Sequence, residues 1–396
     1  MKNRSAILSV CAVSMFITVY NLKAIFLGYI EVQETQPTFW GWNPKNEKDV
    51  VHAFQPFSSS SQAQIRNNTY TCRLGNGTVI FPLLPHFIIV GAQKAGTTAL
   101  AEFLDMVPGL QGTIKREPHY WDLEAPKRAP NKTEAASIWK CRQYRRYADH
   151  WDNRKTRNGT MLFEKTPKLL ALPHVPSMIP EILPHIPKII VILRDPIARA
   201  YSHYKMTLKI SSDKRKIAVL PFGHRVAKTI HHLRSLGVNI PIFDPNATGV
   251  IRWEDQEFSV IPSELEPHLK FTDMLLRGCY SRQISNWMQH FDLGKSLKVL
   301  QYERLERNQS EVLQDLLTFV GGPPHNLSYE ILKKDFGPTR SREKKPADSS
   351  FVPTIPFKNT PWSLRKETVT YLKHFYKPYN DELANLLGEN WRGIWD

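Results

Sequence analysis

Residues 87–100 read FIIVGAQKAGTTAL, and the fold turns on this stretch. Residues 87–90 are apolar and end at Gly91; so short a run before a glycine predicts a strand buried in a parallel sheet. Beyond the turn, Leu100, Phe103, Leu104 and Val107 fall at i, i+3, i+4 and i+7. That is one face of a helix, which Pro108-Gly109 stops. The spacing of Gly91 and Gly96 nearly fits the nucleotide loop GxxxxGK[ST]. Thr97, however, stands where that loop has its lysine, and the lysine lies inside the turn at Lys94. Backbone N–H groups of a glycine-rich turn, with the positive end of the following helix, make an anion site. Gly91 and Gly96 let the backbone come close, Thr97 and Thr98 add hydroxyl donors, and Lys94 adds a charge. The turn is therefore expected to hold a phosphate rather than merely join strand to helix.

Outward from this loop, residues 188–193 (KIIVIL) predict a second buried strand, followed by Arg194-Asp195-Pro196 and a helix through Tyr201 and Tyr204. Residues 296–305 (SLKVLQYERL) predict a third. Asn308 with Glu311 reads as a helix cap, Leu313, Leu316, Leu317 and Val320 as that helix's inner face, and Gly321-Gly322 as its end. Strands alternating with helices imply an α/β fold, a parallel sheet flanked by helices. Ligands of such sheets bind at the carboxyl ends of the strands, where GAQKAGTT sits. A nucleoside triphosphatase would need a Mg²⁺ carboxylate at another strand end. Here the second strand runs into Arg194, and Ser202 lies two turns into the next helix, a pairing suited to a second phosphate. Two phosphate sites suggest a nucleotide phosphorylated at both ends of its ribose. No CxxC and no His/Cys cluster has zinc spacing, so no structural metal is expected.

The 396 residues are 41% hydrophobic, enough for one sizeable core. The net charge of +16 calls for an anionic partner: nucleic acid, a membrane surface, a phosphorylated cofactor or an acidic polysaccharide. The basic start MKNR, the apolar run 6–22, Lys23 and then AIFLGYI predict an uncleaved signal anchor over 6–30, preferred to a cleaved signal peptide. Residues 1–5 then form a cytoplasmic tail, and the rest of the chain is lumenal. Residues 31–85, with SSSSQAQ, read as a flexible stem. N-x-[ST] acceptors at Asn67, Asn76, Asn131, Asn158, Asn246, Asn308 and Asn326 agree with a lumenal chain. Among Cys72, Cys141 and Cys279 one disulfide is allowed, and spacing leaves its pairing open. A lumenal chain without a base-reading module is not expected to bind nucleic acid. No oligomeric state is read from the sequence.

Taken together, these segments resemble the Golgi carbohydrate sulfotransferases that act on glycosaminoglycans. FIIVGAQKAGTTAL resembles the family's 5′-phosphosulfate loop and KIIVILRDPIARAYSHY its 3′-phosphate segment. IKREPHYWD, LFEKTPKLL, RGCYSRQISNWMQHF, VLQYERL and LKHFYKPYNDELANLLG follow in the family's order. The resemblance implies the sulfotransferase fold over a catalytic domain at 86–396, a Golgi membrane anchor, 3′-phosphoadenosine 5′-phosphosulfate as co-substrate, and no metal. It implies cofactor contacts from Lys94, Ala95, Gly96, Thr97, Thr98, Arg194 and Ser202. Heparan-type members close a disulfide-bounded basic loop over the cofactor. The matching TRSREKKPADSS (339–350) has no cysteine, and Arg340 and Arg342, or Lys344 and Lys345, are candidates for that contact. The subfamily resembled most is the N-acetylgalactosamine 4-sulfate 6-O-sulfotransferases, with a chondroitin or dermatan sulfate acceptor. A heparan sulfate O-sulfotransferase is the alternative; a non-catalytic glycosaminoglycan-binding membrane protein and a nucleotide kinase are readings of other classes.

Sulfuryl transfer to a sugar hydroxyl gains from a positioned base and from cations where charge builds on the leaving oxygen. Glu117, in KREPHYW, is the candidate base and matches the family's glutamate; its ordinary reading is a surface ion pair with Lys115 or Arg116. His119 is the second candidate. Lys94 is expected on the phosphosulfate, and Lys165, in FEKTP, near the sulfuryl group unless it is a solvated charge. For Arg194 the ordinary reading is a pair with Asp195 or Glu164. Lys205, Lys209, Lys214, Arg215, Lys216, His224, Arg225, Lys228 and Arg234 form a basic run suited to a sulfated polysaccharide acceptor, with Tyr120 and Trp121 expected to stack on sugar rings.

Overall fold

A computed structural model of the chain describes residues 72–73, 79–80, 82–125, 134–152, 156, 159–214, 220–245, 261, 273–322 and 364–396. The anchor at 6–30, most of the stem and the basic segment 339–350 lie outside the described residues.

The strand expected at FIIV is β3 (Phe87–Gly91), buried at every position. It is the middle of a five-stranded sheet, ordered β4-β5-β3-β6-β7, and each pairing is parallel. Its neighbours are β5 (Met161–Lys165) and β6 (Lys188–Leu193); β4 (Leu110–Gln111) and β7 (Leu297–Gln301) form the edges. Ile89 lies opposite Lys165 on one side and Ile190 on the other, so Gly91, Lys165 and Leu193 reach the same end of the sheet. The pairing with β6 shifts register between Ile89 and Gly91. Such an irregularity bends a strand, and here it lies where the strand enters its loop.

The helix expected to run up to Pro108 is α1 (Thr97–Leu104); it ends earlier, and Val107, though buried, lies in the turn beyond it rather than on its face. This helix is followed by α2 (Glu134–Ala148), α3 (Val175–Ile182), α4 (Pro196–Lys214) and α5 (Phe222–Ser235). Then come α6 (Tyr280–Met288), α7 (Tyr302–Arg307), α8 (Gln309–Val320) and α9 (Lys366–Leu387). One buried cluster joins the strands to α1, α6 and α8; a second is built by α4, α5 and α9. Residues 72–73 and 79–80 pair as a short antiparallel ribbon, β1 (Cys72–Arg73) and β2 (Val79–Ile80). Cys72 is bonded to Cys141 on α2, which settles the pairing, and Cys279 is free and buried.

Two further expectations need correction. The third strand stops at Gln301, and Tyr302 opens a helix, so only half of SLKVLQYERL is extended. Asn308 precedes α8, but its side chain caps no backbone N–H; its amide donates to Glu311 Oε2 at 3.3 Å instead. At the other end Gly321, at φ 74°, closes the helix as expected.

Candidate active site

The loop Gly91–Gly96 leaves the sheet under close packing. A Cβ at Gly91 would lie 2.4 Å from Leu170 Cβ. Gly96 has φ +90°, and a Cβ there would lie 2.7 Å from the ring of Tyr302. Only glycine meets both demands at Gly96 without strain. Lys94 takes a left-handed φ of 73° although it is not glycine. That conformation costs about 1–2 kcal/mol, and such residues concentrate where geometry serves function. The first turn of α1 carries N–H groups with no acceptor inside the helix, and Thr97 and Thr98 stand on it. Burial lowers the Lys94 pKa, with help from Lys205 and Arg194 and opposition from Glu117. Those charges therefore converge on one place.

Arg194 follows β6 at the same end of the sheet. Its guanidinium lies 4.6 Å from the centroid of the Tyr302 ring. Tyr302 thus separates Gly96 of the glycine-rich loop from Arg194 at the end of β6, and its hydroxyl donates to Glu306 at 2.7 Å. Asp195 is engaged elsewhere: its Oδ1 accepts the N–H groups of Ile197 and Ala198 at 2.8 and 3.3 Å, capping α4. The Asp195 N–H donates to Glu303 Oε1 at 2.8 Å, and the Arg194 carbonyl accepts from the Tyr280 hydroxyl at 2.8 Å. Ser202 stands two turns along α4, partly buried. Tyr302 and Glu303, which touch both of these segments, fall in VLQYERL, a stretch the sequence predicts as strand and so does not single out.

At the end of β5, Lys165 is 1% exposed, so it is not a solvated charge. Its Nζ lies 2.8 Å from Glu117 Oε1 and 3.4 Å from Thr98 Oγ1. Burial lowers its pKa against the pull of Glu117. Arg116 pairs with Glu102 at 2.9 Å, not with Glu117. The other candidate base is adjacent: His119 Nε2 is 3.6 Å from Glu117 Oε2. His119 has φ 59°, and its Nδ1 lies 3.1 and 3.2 Å from the two oxygens of Asp122, which also meets Lys168 Nζ at 3.3 Å.

Tyr120 and Trp121 do not face a substrate. They open a π-helical turn (Tyr120–Glu124) and are 0% and 1% exposed, which corrects the expectation that they stack on sugars. Their rings pack with Tyr147, and Trp121 Nε1 donates to Glu164 Oε2 at 3.2 Å. Glu164 also accepts from Thr166 Oγ1 at 2.7 Å and from the Tyr147 hydroxyl. Burial pushes its pKa up to about 7 despite these donors. Glu164 is therefore held on the inner side of β5 and is no partner for Arg194. Asp122 and Glu164 lie inside IKREPHYWD and LFEKTPKLL, but no spacing marks either for a role at the site, and Glu164 enters the sequence reading only as a partner for Arg194.

Lys205 lies 5.1 Å over the Tyr201 ring, and its charge is felt at Lys94. Arg340, Arg342, Lys344 and Lys345 lie outside the described residues. No group of His, Cys, Asp and Glu able to hold a metal occurs among the described residues.

A family model described as "Sulfotransferase domain" matches residues 84–343. The chain is 27% identical over 345 residues to heparan sulfate glucosamine 3-O-sulfotransferase 3A1 of Mus musculus, covering 86% of this chain and 70% of that protein. It is 24% identical over 327 residues to bifunctional heparan sulfate N-deacetylase/N-sulfotransferase 4 of the same organism, covering 77% of this chain but 30% of that one. A sulfotransferase structure from Alicyclobacillus acidocaldarius aligns over 78% of this chain and 99% of that one, at TM-score 0.47 and 21% identity. The matched segment holds the phosphate loop, the Arg194 segment and the Glu117–Lys165 pair, so the chain belongs to the sulfotransferase family and is an enzyme of the kind that uses 3′-phosphoadenosine 5′-phosphosulfate.

Proposed function

We propose that this enzyme transfers a sulfuryl group to a hydroxyl of a glycosaminoglycan, with heparan sulfate as the foremost acceptor class. The observation that carries the site reading is the Glu117–Lys165 contact of 2.8 Å beside Thr98 of the phosphate loop. It joins a carboxylate able to take a proton to a buried cation and to the loop that would hold the donor. In the step, an acceptor oxygen bonds to sulfur while the bond from sulfur to the bridging phosphate oxygen breaks, and its electron pair stays with the phosphate. Glu117 takes the hydroxyl proton. Lys94 and Lys165 face the charge that builds on the leaving oxygen and on the sulfuryl group. Arg194 and Ser202 hold the 3′-phosphate. His119, oriented by Asp122, is the second candidate base.

The heparan reading draws on the names of the matched relatives, which act on heparan sulfate. It takes precedence over the chondroitin or dermatan 6-O reading suggested by the motifs. A lumenal Golgi location behind a type II anchor at 6–30 belongs to the same proposal. A panel of defined and selectively desulfated glycosaminoglycans, incubated with radiolabelled donor and followed by disaccharide analysis, tests it. Label in glucosamine of heparan sulfate is the expected result. Label confined to N-acetylgalactosamine would reverse the ranking, and binding without transfer would favour the non-catalytic alternative.

A further inference from the structure

Beside the phosphate loop lies a group of cations that neither the donor sites nor the candidate base uses. Arg199, on α4, is 0% exposed, and Arg277, in the turn Leu276–Gly278, is 7% exposed. Arg199 donates from Nη2 to the Met274 carbonyl, and Arg277 from Nη1 to the side-chain carbonyl of Gln93. Arg199 Nε and Nη1, Arg277 Nε and His203 Nδ1 find no hydrogen-bond partner among the described residues. His203 stands one turn beyond Arg199; its idle Nδ1 is buried like the arginine donors, but the residue as a whole is only partly buried and is the most exposed of the three.

The local charge is one-sided. Burial, then Arg199, Arg277, Lys94 and Arg225, hold the His203 pKa down to about 3, so the leading influences on it are burial and cations. Asp273 does act on Arg277, less than Arg199 does. Its carboxylate is shared with the Leu275 N–H at 2.7 Å and the Thr229 hydroxyl at 3.4 and 3.5 Å. Buried guanidinium groups with idle donors are costly unless an anion offsets them.

We infer that Arg199, His203 and Arg277 form a subsite for an anionic group of the acceptor chain, a sulfate ester or a carboxylate. The inference rests on the sulfuryl-transfer reading. A donor with a phosphate at each end of its ribose is already served by Lys94 with the start of α1, and by Arg194 with Ser202. Neither of its phosphates remains for a third cationic site. The bond from Arg277 to Gln93, the residue before Lys94, sets this site at the sulfuryl end of the donor, where an acceptor sugar must lie. Guanidinium forks match the planar oxygens of a carboxylate and the oxygens of a sulfate alike.

Calorimetric titration of the whole enzyme, at near-physiological ionic strength, tests this. The probes are a heparin-derived octasaccharide, its carboxyl-reduced form, its desulfated form, and adenosine 3′,5′-bisphosphate. Arg277→Gln is expected to weaken the native octasaccharide at least about tenfold, as loss of a desolvated charge contact does, and the nucleotide less than about threefold. His203→Gln, at the open side, is expected to weaken the octasaccharide in the same direction and serves if Arg277→Gln does not fold. The modified octasaccharide that wild type already binds as weakly as Arg277→Gln binds the native one identifies the group. Octasaccharide affinity unchanged in both variants overturns the inference. So does a wild type that binds no octasaccharide, or a nucleotide loss as large as the octasaccharide loss. A wild-type transfer assay separates the two readings: sulfate moved to glycosaminoglycan with unchanged acceptor KM in both variants sinks the subsite alone, whereas no transfer to any glycosaminoglycan sinks the reading beneath it.

Discussion

Glu117 and Lys165 come from segments 48 residues apart and meet at 2.8 Å. Glu117→Gln keeps the size and shape of the side chain but cannot accept the acceptor's proton. Turnover is expected to fall about 10²–10⁴-fold, the usual worth of a general base, with nucleotide affinity nearly unchanged. His119→Ala is expected to cost much less. Single-turnover rates with saturating donor measure both. A dead His119→Ala beside a mild Glu117→Gln would move the base to the histidine, and two mild variants would leave alignment by Lys94 and Lys165 to carry the rate. The sequence named each of these residues, because a glutamate and a lysine in quoted motifs can be picked out singly. It did not show that they touch, since that contact exists only because β5 pairs with β3 and brings Lys165 beside Ile89. Tyr120 and Trp121 were misread for a related reason. A π-helical turn sends them into the core, and no apolar period announces such a turn.

Elements couple the glycine-rich loop and the Arg194 segment through a single ring. Tyr302, at the start of α7, packs on Gly96 and lies under Arg194. Tyr302→Leu keeps apolar bulk but loses the cation–π contact, worth about 0.5–2 kcal/mol, so adenosine 3′,5′-bisphosphate is expected to bind a few-fold to about thirtyfold more weakly. Tyr302→Phe, which keeps the ring, stays near wild type. Arg194→Ala is expected to weaken adenosine 3′,5′-bisphosphate far more than the analogue lacking the 3′-phosphate, and equal losses would move Arg194 out of that site. The strand β5 adds a pH dependence. Burial raises Glu164 above its ordinary value of 4.5 to about 7, so its protonated form favours the fold. The contribution is full below about pH 4.5 and is lost as pH rises through about 7, a change on the order of 3 kcal/mol. Denaturation of wild type and Glu164→Gln at pH 5 and pH 8 reads it. The variant is expected to lose less stability between the two than wild type does, and parallel profiles would refute the assignment. The apolar strands β3 and β6 were legible because a buried parallel strand is written in apolar residues alone. β5 was not read as a strand: its last residues, Glu164 and Lys165, are buried polar groups that hide the pattern. β7 was read too long because the apolar Tyr302 and Leu305 beyond it belong to a helix.

The whole molecule carries one covalent link among the described residues, Cys72–Cys141, and its consequences can be measured together with those of the lumenal proposal. The bond spans 69 residues and ties the ribbon ahead of the sheet to α2. Cross-linking a loop of that length removes unfolded-chain entropy worth about 4 kcal/mol. Such bonds persist in oxidising compartments and are rare in the cytosol, so the pairing supports passage through the secretory route. The acceptor sequence at Asn308 adds a second marker, since Asn308 is exposed between α7 and α8. Protein made in a secreting cell is expected to shift in gel mobility after enzymatic removal of N-glycans. Its denaturant midpoint should fall on reduction, and Cys141→Ser should show the lowered midpoint with no further response to reductant. The free thiol at Cys279 is buried, so alkylation of the native protein should leave it unlabelled, and denatured, unreduced protein should take one label within residues 72–396. Three labels there without prior reduction would mean that the bond does not form. That result, joined to unchanged mobility after glycan removal, would place the sulfotransferase domain on the cytosolic side, where the anchor at 6–30 would have to be read in the opposite orientation.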